Sequence, residues 1–202
     1  MKWIARGLAA VVVFVLLAVG VGMLVPVAHT ATVSQDVDGT PVQVWAVITD
    51  VSGYAGWRSD IDAVEVLDAP QGGLTWRESG PSGAMTFRIS EAAPPRRWVS
   101  VIADENLPFG GIWTYELEEV VGGGSSGPRT RLTITEDGEI YNPFFRFVAR
   151  FILGYDATMK RYVGDLAAHM SGGRVTDTGA TGPGSSEEGL ASGRTEQEAS
   201  AT

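Results

Sequence analysis

The clearest indication of the fold comes from residues 142–166, which read NPFFRFVARFILGYDATMKRYVGDL. Asn142 suits a helix N-cap, and Pro143 suits the first helical position. Large apolar side chains then recur at intervals of three and four residues: Phe144, Val148, Ile152, Tyr155, Met159, Tyr162, Val163 and Leu166. This spacing predicts one long helix, whose apolar face needs a sheet of similar length to cover it.

The segments before this helix supply such a sheet. Residues 29–38 alternate loosely as a strand, and residues 41–48 and 50–57 have the pattern of two short helices. Six further strands lie between turn signals, at residues 61–67, 74–78, 84–90, 97–103, 111–120 and 130–137. This order predicts an α+β helix-grip fold, in which a curved antiparallel sheet wraps around the long C-terminal helix.

The N-terminal segment has the composition of a transmembrane helix. Residues 7–25 read GLAAVVVFVLLAVGVGMLV and contain no charged side chain. As a helix they span about 28 Å, close to the hydrocarbon thickness of a bilayer. Lys2 and Arg6 precede them, and the next basic residue is Arg58. This bias predicts a single-pass cell-membrane protein with a cytoplasmic N-terminus and an extracytoplasmic domain.

The alternative for this segment is a signal peptide that is removed on export. The apolar region of a signal peptide usually has about 7–15 residues and ends at a small-x-small cleavage site. The apolar run here is longer, and residues 26–31, PVAHTA, offer no clean cleavage motif. We therefore predict a transmembrane anchor at residues 1–28 and a folded domain at 29–171. The remaining residues, 172–202, form an acidic tail rich in Gly, Ser and Glu, which is predicted to be disordered because it has few apolar side chains.

The composition excludes several classes of function. A formal net charge of −9 argues against a nucleic-acid groove, which requires a basic surface. The chain has no cysteine, so thiolate nucleophiles and cysteine-ligated metals are excluded. The histidines are His29, at the exit from the predicted membrane helix, and His169, at the end of the last helix. Neither is predicted inside the domain, so no catalytic histidine, metal site or cofactor is expected.

Some charged residues need a separate interpretation. The carboxylates that could donate or accept protons at a cavity are Asp60, Glu78 and Glu116. Charged residues on strands and loops are usually solvated, so we predict surface positions for these three and for Arg58 and Arg88. The predicted long helix also has a basic side, which would attract anionic lipid head groups near a membrane. This side consists of Arg146, Arg150, Lys160 and Arg161.

An ordered set of short motifs resembles the START-like superfamily, specifically its polyketide cyclase/dehydrase-like branch, the SRPBCC proteins. The motifs are Pro41-Val42-x-Val44-Trp45-x-x-Ile48-x-Asp50, Trp57-Arg58-x-Asp60-Ile61-x-x-Val64, Trp113-x-Tyr115, Thr130-x-Leu132-x-Ile134-Thr135-Glu136 and Asn142-Pro143-Phe144. The resemblance covers residues 29–170, and some members of the family are similar in having an N-terminal membrane helix. It implies a deep apolar cavity between helix and sheet for lipids, polyketides or other hydrophobic molecules. It does not imply a reaction, because a fold does not determine a function.

The predicted function follows from this cavity. In a helix-grip fold, the inner face of the sheet and the apolar face of the helix line the cavity. The residues predicted to contact a ligand are Phe87, Trp113, Tyr115, Leu117, Tyr155 and Met159. We predict a membrane-anchored domain that binds a hydrophobic small molecule or lipid. The alternatives are a cyclase- or dehydratase-type enzyme and a protein-interaction module with a closed cavity.

Overall fold

The computed structural model describes residues 2–68, 72–104, 106–121 and 127–175. The helices are α1 (Lys2–Leu24), α2 (Pro41–Thr49), α3 (Pro143–Val148) and α4 (Ala157–Val175), with a 3₁₀ helix at Val51–Gly56 and a π-helix at Ala149–Leu153. The strands are β1 (Ala28–Asp38), β2 (Ala63–Leu67), β3 (Thr75–Gly80), β4 (Gly83–Ala93), β5 (Arg97–Ile102), β6 (Phe109–Glu119) and β7 (Arg129–Ile140). The predicted tail begins inside α4, and residues 176–202 lie outside the described ranges.

The seven strands form one antiparallel sheet in the order β1-β7-β6-β5-β4-β3-β2. Helix α4 packs against one face of this sheet, which we call the inner face. The core between them is fully buried and contains Tyr115, Leu117, Leu132, Ile134, Met159, Tyr162, Val163 and Leu166. The predicted α+β helix-grip fold, with a curved sheet and a closing C-terminal helix, is confirmed.

The strands alternate between this core and a polar outer face, as their sequence period of two requires. Between the neighbouring strands β1 and β7, the outer face has a row of paired hydroxyl and charged side chains. Ser34 and Thr133 share a hydrogen bond of 2.9 Å, and Arg131 Nε donates to Asp36 Oδ1 at 2.8 Å. The inner positions at the middle of β7 are instead apolar, namely Leu132 and Ile134. This pattern fixes the register, because a slip of one residue would exchange the two faces.

Helix α2 begins where the sequence predicted it, and a capping box stabilises its start. Gln43 N donates to Thr40 Oγ1, and Thr40 N donates to Gln43 Oε1 at 2.8 Å, with Pro41 in the first turn. The buried residues of the helix are Val44 and Ile48. Because these two side chains pack into the core, the end of α2 is held in place, and this positions the 3₁₀ helix that follows.

The prediction of one continuous helix over residues 142–166 is wrong. Asn142 caps α3 as expected, but α3 passes into the π-helix, and the chain then turns at Gly154. Gly154 has φ +81°, a left-handed conformation that glycine adopts without the clash a side chain would make. Only α4 belongs to the core. Helix α3 packs instead along α1, and Ile152 in the π-helix is mostly exposed.

Helix α1 is long and apolar enough to cross a membrane, and among the described residues it is the only such helix. It leads directly into the sheet, since residues 25–27 alone separate Leu24 from Ala28. This short connection is hydrogen-bonded to the end of β7, because Ile140 N donates to Val27 O at 2.9 Å. The anchor candidate is therefore attached closely to the domain.

Candidate functional site

A buried arginine lies at the centre of the candidate site. The 3₁₀ helix is fixed by Tyr54, whose hydroxyl donates to Ile48 O at 2.6 Å, and Arg58 N donates to Tyr54 O at 2.8 Å. These contacts direct the Arg58 side chain inwards, where the residue is only 8% exposed. Its guanidinium carbon is 5.2 Å from the ring centres of both Tyr54 and Tyr162. The two phenol rings stabilise the cation through their negative faces.

Two carboxylates complete the hydrogen bonding of Arg58. Its Nη1 donates to Glu78 Oε2 at 2.9 Å, while Nε and Nη2 donate to the two oxygens of Asp60 at 3.2 and 3.0 Å. The other oxygen of Glu78 accepts a hydrogen bond of 2.9 Å from Trp76 Nε1. Glu78 itself is only 5% exposed. The cluster therefore combines one buried cation with two carboxylates that are both hydrogen-bonded.

Burial alters the acid–base behaviour of this cluster. It raises the pKa of Glu78, and the charge of Arg58 and the Trp76 hydrogen bond offset this effect only in part. Burial alone would lower the pKa of Arg58, but Glu78 and Asp60 raise it above its ordinary value. Arg58 is thus always protonated. Within this cluster, Glu78 is the group that can gain or lose a proton when its surroundings change.

A small cavity of about 160 Å³ opens beside this cluster, between β3, β4 and α4. Its charged side is formed by Arg58 and Glu78, and its apolar side by Met85 and Phe87. This volume is close to that of a cavity that accepts a single aromatic ring, about 150 Å³. It is smaller than the roughly 300–1,000 Å³ of typical small-molecule pockets. As it stands, the cavity fits a ring or a polar head group.

A second polar group lies on the inner face at the end of the sheet nearest α1. His29 stacks on Tyr155 with ring centres 4.0 Å apart, and its Nε2 lies 3.6 Å from Glu136 Oε1. His29 Nδ1 is buried and has no hydrogen-bond partner within the described part of the chain. Burial lowers the pKa of His29 and raises that of Glu136, where a hydrogen bond from Trp113 partly opposes it.

Aromatic rings connect these two polar groups. Trp113 lies opposite Glu136 in the pairing of β6 with β7. Its ring centre is 6.1 Å from that of Tyr162, which also contacts Arg58. Tyr115 lies 5.6 Å from the same Tyr162 ring. The inner face therefore has a continuous row of aromatic side chains with a charged group at each end.

The six residues predicted to contact a ligand have different surroundings in the structure. Phe87 lines the 160 Å³ cavity and stacks on Trp76. Trp113 and Tyr115 belong to the aromatic row, and Tyr155 covers His29. Leu117 and Met159 are buried in the core. The structure thus brings Trp113 and Tyr115 together, while Phe87 and Tyr155 each contact a different aromatic ring.

Three predictions about charged residues are wrong. Glu78 and Arg58 are not solvated but form the buried pair. His29 does not lie outside the domain, because its side chain is 9% exposed on the inner face. Glu116 has the predicted exposure, since it lies on the outer face with Arg97 at 2.9 Å. The signal for Glu78 was its position two residues after Trp76, which assigns both side chains to the inner face.

The described residues contain no group of three His, Asp or Glu side chains placed to hold a metal ion. The arrangement can bind an anionic or polar group at Arg58, hold an apolar group against Phe87, and move a proton at Glu78.

Comparison with known protein families gives one match over most of the chain. A family model described as polyketide cyclase / dehydrase and lipid transport matches residues 28–171. The match includes the whole sheet, the Arg58 cluster and most of α4, and it leaves out α1. No curated protein matches the chain significantly.

Solved structures share the fold at low sequence identity. The aromatase/cyclase ZhuI from Streptomyces sp. R1128 is 16% identical, with a TM-score of 0.58 over 75% of this chain and 98% of that one. A START superfamily protein from Mycobacterium smegmatis is 13% identical, with a TM-score of 0.55 over 71% and 98%. A conserved protein from Geobacillus kaustophilus is 14% identical, with a TM-score of 0.58 over 71% and 96%. At these identities the likeness concerns the fold alone.

Proposed function

Because the chain belongs to the polyketide cyclase/dehydrase and lipid-transport family, we propose that it is a membrane-anchored domain that binds a hydrophobic small molecule or lipid between α4 and the sheet. The family and the fold support a hydrophobic-ligand-binding domain. The observation that carries the finer proposal is the buried Arg58–Glu78 pair beside the cavity that Phe87 lines. A buried ion pair is costly for stability alone, so its position next to a cavity favours a role in binding.

The two sides of the cavity suit the two ends of an amphipathic ligand. An apolar group placed against Met85 and Phe87 gains roughly 25 cal/mol for each Å² of apolar surface buried. A guanidinium has five N–H donors, and Arg58 uses three in its hydrogen bonds to Glu78 and Asp60. The remaining donors can bind an oxygen of the ligand. We expect a ligand that combines an apolar body with a carboxylate, phenol or ketone oxygen.

Helix α1 is the proposed anchor of this domain at the cell membrane. Its length and composition suit a single membrane span, and Lys2 and Arg6 favour a cytoplasmic N-terminus with the domain outside. Its packing also favours retention over cleavage. Ala18 and Gly22 of α1 are buried against later residues of the chain, and removal of α1 would uncover that apolar contact.

Photoaffinity labelling of the full-length chain in lipid nanodiscs tests the proposal. A fatty acid with a diazirine group should label peptides from β4 and α4 as well as peptides from α1. Phe87→Ala should reduce labelling of the β4 peptide by roughly tenfold or more, since burying a phenylalanine contributes about 1.5–3 kcal/mol. Arg58→Lys should reduce it too, because a lysine cannot replace the fork of donors.

Matched variants give the controls for this experiment. Tyr141→Ala and Arg77→Lys change an exposed aromatic residue and an exposed arginine that do not line the cavity, and both should label as the wild type does. Circular dichroism should show that all four variants are folded. Labelling confined to α1 in the wild type would contradict the proposal and would favour the interaction module with a closed cavity.

A second candidate function is a cyclase- or dehydratase-type reaction on a hydrophobic substrate. The direction of the Glu78 pKa favours it, because burial raises this pKa and a carboxyl group that holds its proton more readily is better suited to act as a general acid or base. Glu78→Gln separates the two functions. The variant should keep its photolabelling in either case. The functions differ in turnover, which an enzyme should lose in this variant.

A further inference from the structure

Residues 143–153 are an apolar segment that the core does not use. The segment comprises α3 and the π-helix, and it lies between the Asn142 cap and the turn at Gly154. Its sequence, PFFRFVARFIL, contains two arginines and no acidic residue. Eleven helical residues extend about 16 Å. We call these residues the hairpin segment, because they fold back along α1.

The hairpin segment packs closely on the domain-proximal half of α1. Gly22 faces Pro143, and a Cβ atom at position 22 would overlap the Pro143 carbonyl. Further along, the rings of Phe14 and Phe147 meet edge to face, with centres 6.2 Å apart. The contact therefore extends along α1 from Gly22 to Phe14, about 12 Å of helix axis.

A hydrogen bond closes the end of α1 on the same segment. Arg146 Nη1 donates to the carbonyl oxygen of Val25 at 2.8 Å. Val25 follows the last residue of α1, where backbone carbonyls have no partner within the helix. A cation at this end also opposes the negative end of the helix dipole. Arg146 is therefore engaged with α1 and is not part of a free basic surface.

The opposite side of the hairpin segment is apolar and exposed. Phe151, Ile152 and Leu153 are 59%, 61% and 64% exposed, and Phe145 is similar. The neighbouring turns of α1 also expose large apolar side chains, among them Leu16, Leu17, Val21, Met23 and Leu24. Exposed large apolar side chains therefore occur both on α1 and on the hairpin segment that packs against it. Soluble proteins rarely expose a patch of this kind.

From this packing we propose that the hairpin segment lies inside the membrane leaflet next to the domain and that lipid acyl chains cover its exposed side. The inference rests on the proposed span of α1. Pro143 and Phe147 contact Gly22 and Phe14 in the domain-proximal half of that helix, and the Phe151 ring centre lies 5.2 Å from that of Phe147. The chain is thus held in the membrane at two places. Arg150, near the end of the segment, can extend towards the head groups.

This inference replaces the basic side predicted for one long helix. The turn at Gly154 separates Arg146 and Arg150 from Lys160 and Arg161. Lys160 pairs with Asp156 at 2.7 Å, and Arg161 lines the cavity beside the Arg58 cluster. The membrane contact proposed here is therefore apolar.

Single-cysteine labelling of the full chain tests the position of the segment, since the natural sequence has no cysteine. Phe151→Cys and Leu153→Cys should carry a fluorophore that doxyl-labelled phosphatidylcholine quenches in reconstituted liposomes. Before labelling, both should react with a membrane-impermeant maleimide at least about tenfold more slowly than Val42→Cys, an equally exposed residue of α2. Leu16→Cys reports on α1 itself.

Each combination of quenching and maleimide-labelling results leads to one conclusion. Quenching at positions 16, 151 and 153, with slow maleimide labelling at 151 and 153, supports the inference. Quenching at 16 alone, with fast labelling at 151 and 153, overturns it and leaves the anchor in place. No quenching at 16 refutes the anchor and the inference together. Slow labelling of 151 and 153 without quenching, combined with cross-links between copies, shows that a second chain covers the surface and also overturns the inference.

Discussion

The hairpin segment and the first turns of α4 come from one apolar pattern in the sequence but have different surroundings. In α4, Met159 and Leu166 are fully buried between helix and sheet. In the hairpin segment, Phe151 and Ile152 are mostly exposed beside α1. The pattern therefore identifies side chains that avoid water. Whether these side chains pack in a protein core or face lipid depends on the direction of the chain, which changes at Gly154.

The largest expected difference between the two regions is in stability. Leu166→Ala should lower the free energy of unfolding by about 2–5 kcal/mol, because it leaves a cavity in a packed core. Ile152→Ala should change it by less than about 0.5 kcal/mol, as for most exposed positions. Guanidinium unfolding of the full chain in mild detergent, followed by tryptophan fluorescence, measures both. Equal losses would show that the hairpin segment is part of the folded core.

A smaller effect is expected where the hairpin segment meets α1. Gly22→Leu should force the segment away from α1, since overpacking a close contact costs about 1–3 kcal/mol. Gly20→Leu is the matched control, because a side chain at position 20 points into open space. Thiol-specific cross-linking of a Phe14→Cys/Phe147→Cys pair should weaken in the first background only. Unchanged cross-linking in Gly22→Leu would mean that the contact does not persist in the membrane.

The smallest effect is expected at His29, where the two regions meet beneath Tyr155. Burial lowers the pKa of His29 below its ordinary value of 6.5, with the charge of Asp137 opposing this in part. The unfolded chain therefore binds a proton more tightly than the folded one. As the pH falls from about 6.5 towards the folded pKa, stability should be lost.

The variant His29→Gln isolates this contribution to the pH dependence. It should flatten the stability profile just below pH 6.5. Glu136 faces His29 and titrates with the opposite sign, because burial raises its pKa. Because Glu136 is present in both proteins, its contribution cancels in the difference between the wild-type and His29→Gln profiles. A wild-type profile that is already flat in this range would show that His29 is accessible to water.

Much of the fold follows from the sequence, because its signals are local. Alternation in β4 and β6 and the position of Pro41 each depend on neighbouring residues, and they predicted the strands and α2 correctly. The break at Gly154 was missed because the apolar spacing continues through it. A glycine is tolerated inside many helices, so its presence alone does not indicate a turn.

The candidate site was harder to predict, because it depends on distant pairing. Arg58 and Glu78 are twenty residues apart, and each alone has the composition of a surface residue. Their burial is possible only because each neutralises the other. Trp113 and Tyr115 were correctly assigned to the inner face from alternation. The sequence contains no local signal that distinguishes side chains that fill the space between helix and sheet from those that line a cavity.

The connection of α1 to β1 has a mechanical consequence. Strand β1 starts beside the end of β7, with Ala28 opposite Glu139, so α1 and the hairpin segment leave the sheet from the same end of two adjacent strands. A domain on one flexible tether can swivel freely above a bilayer. In the proposed topology, two attachments and the Val27–Ile140 hydrogen bond prevent that rotation. The domain then keeps a fixed orientation relative to its own membrane helix. The His29 end of the sheet therefore stays directed at the lipid surface while the protein diffuses and rotates in the plane of the membrane.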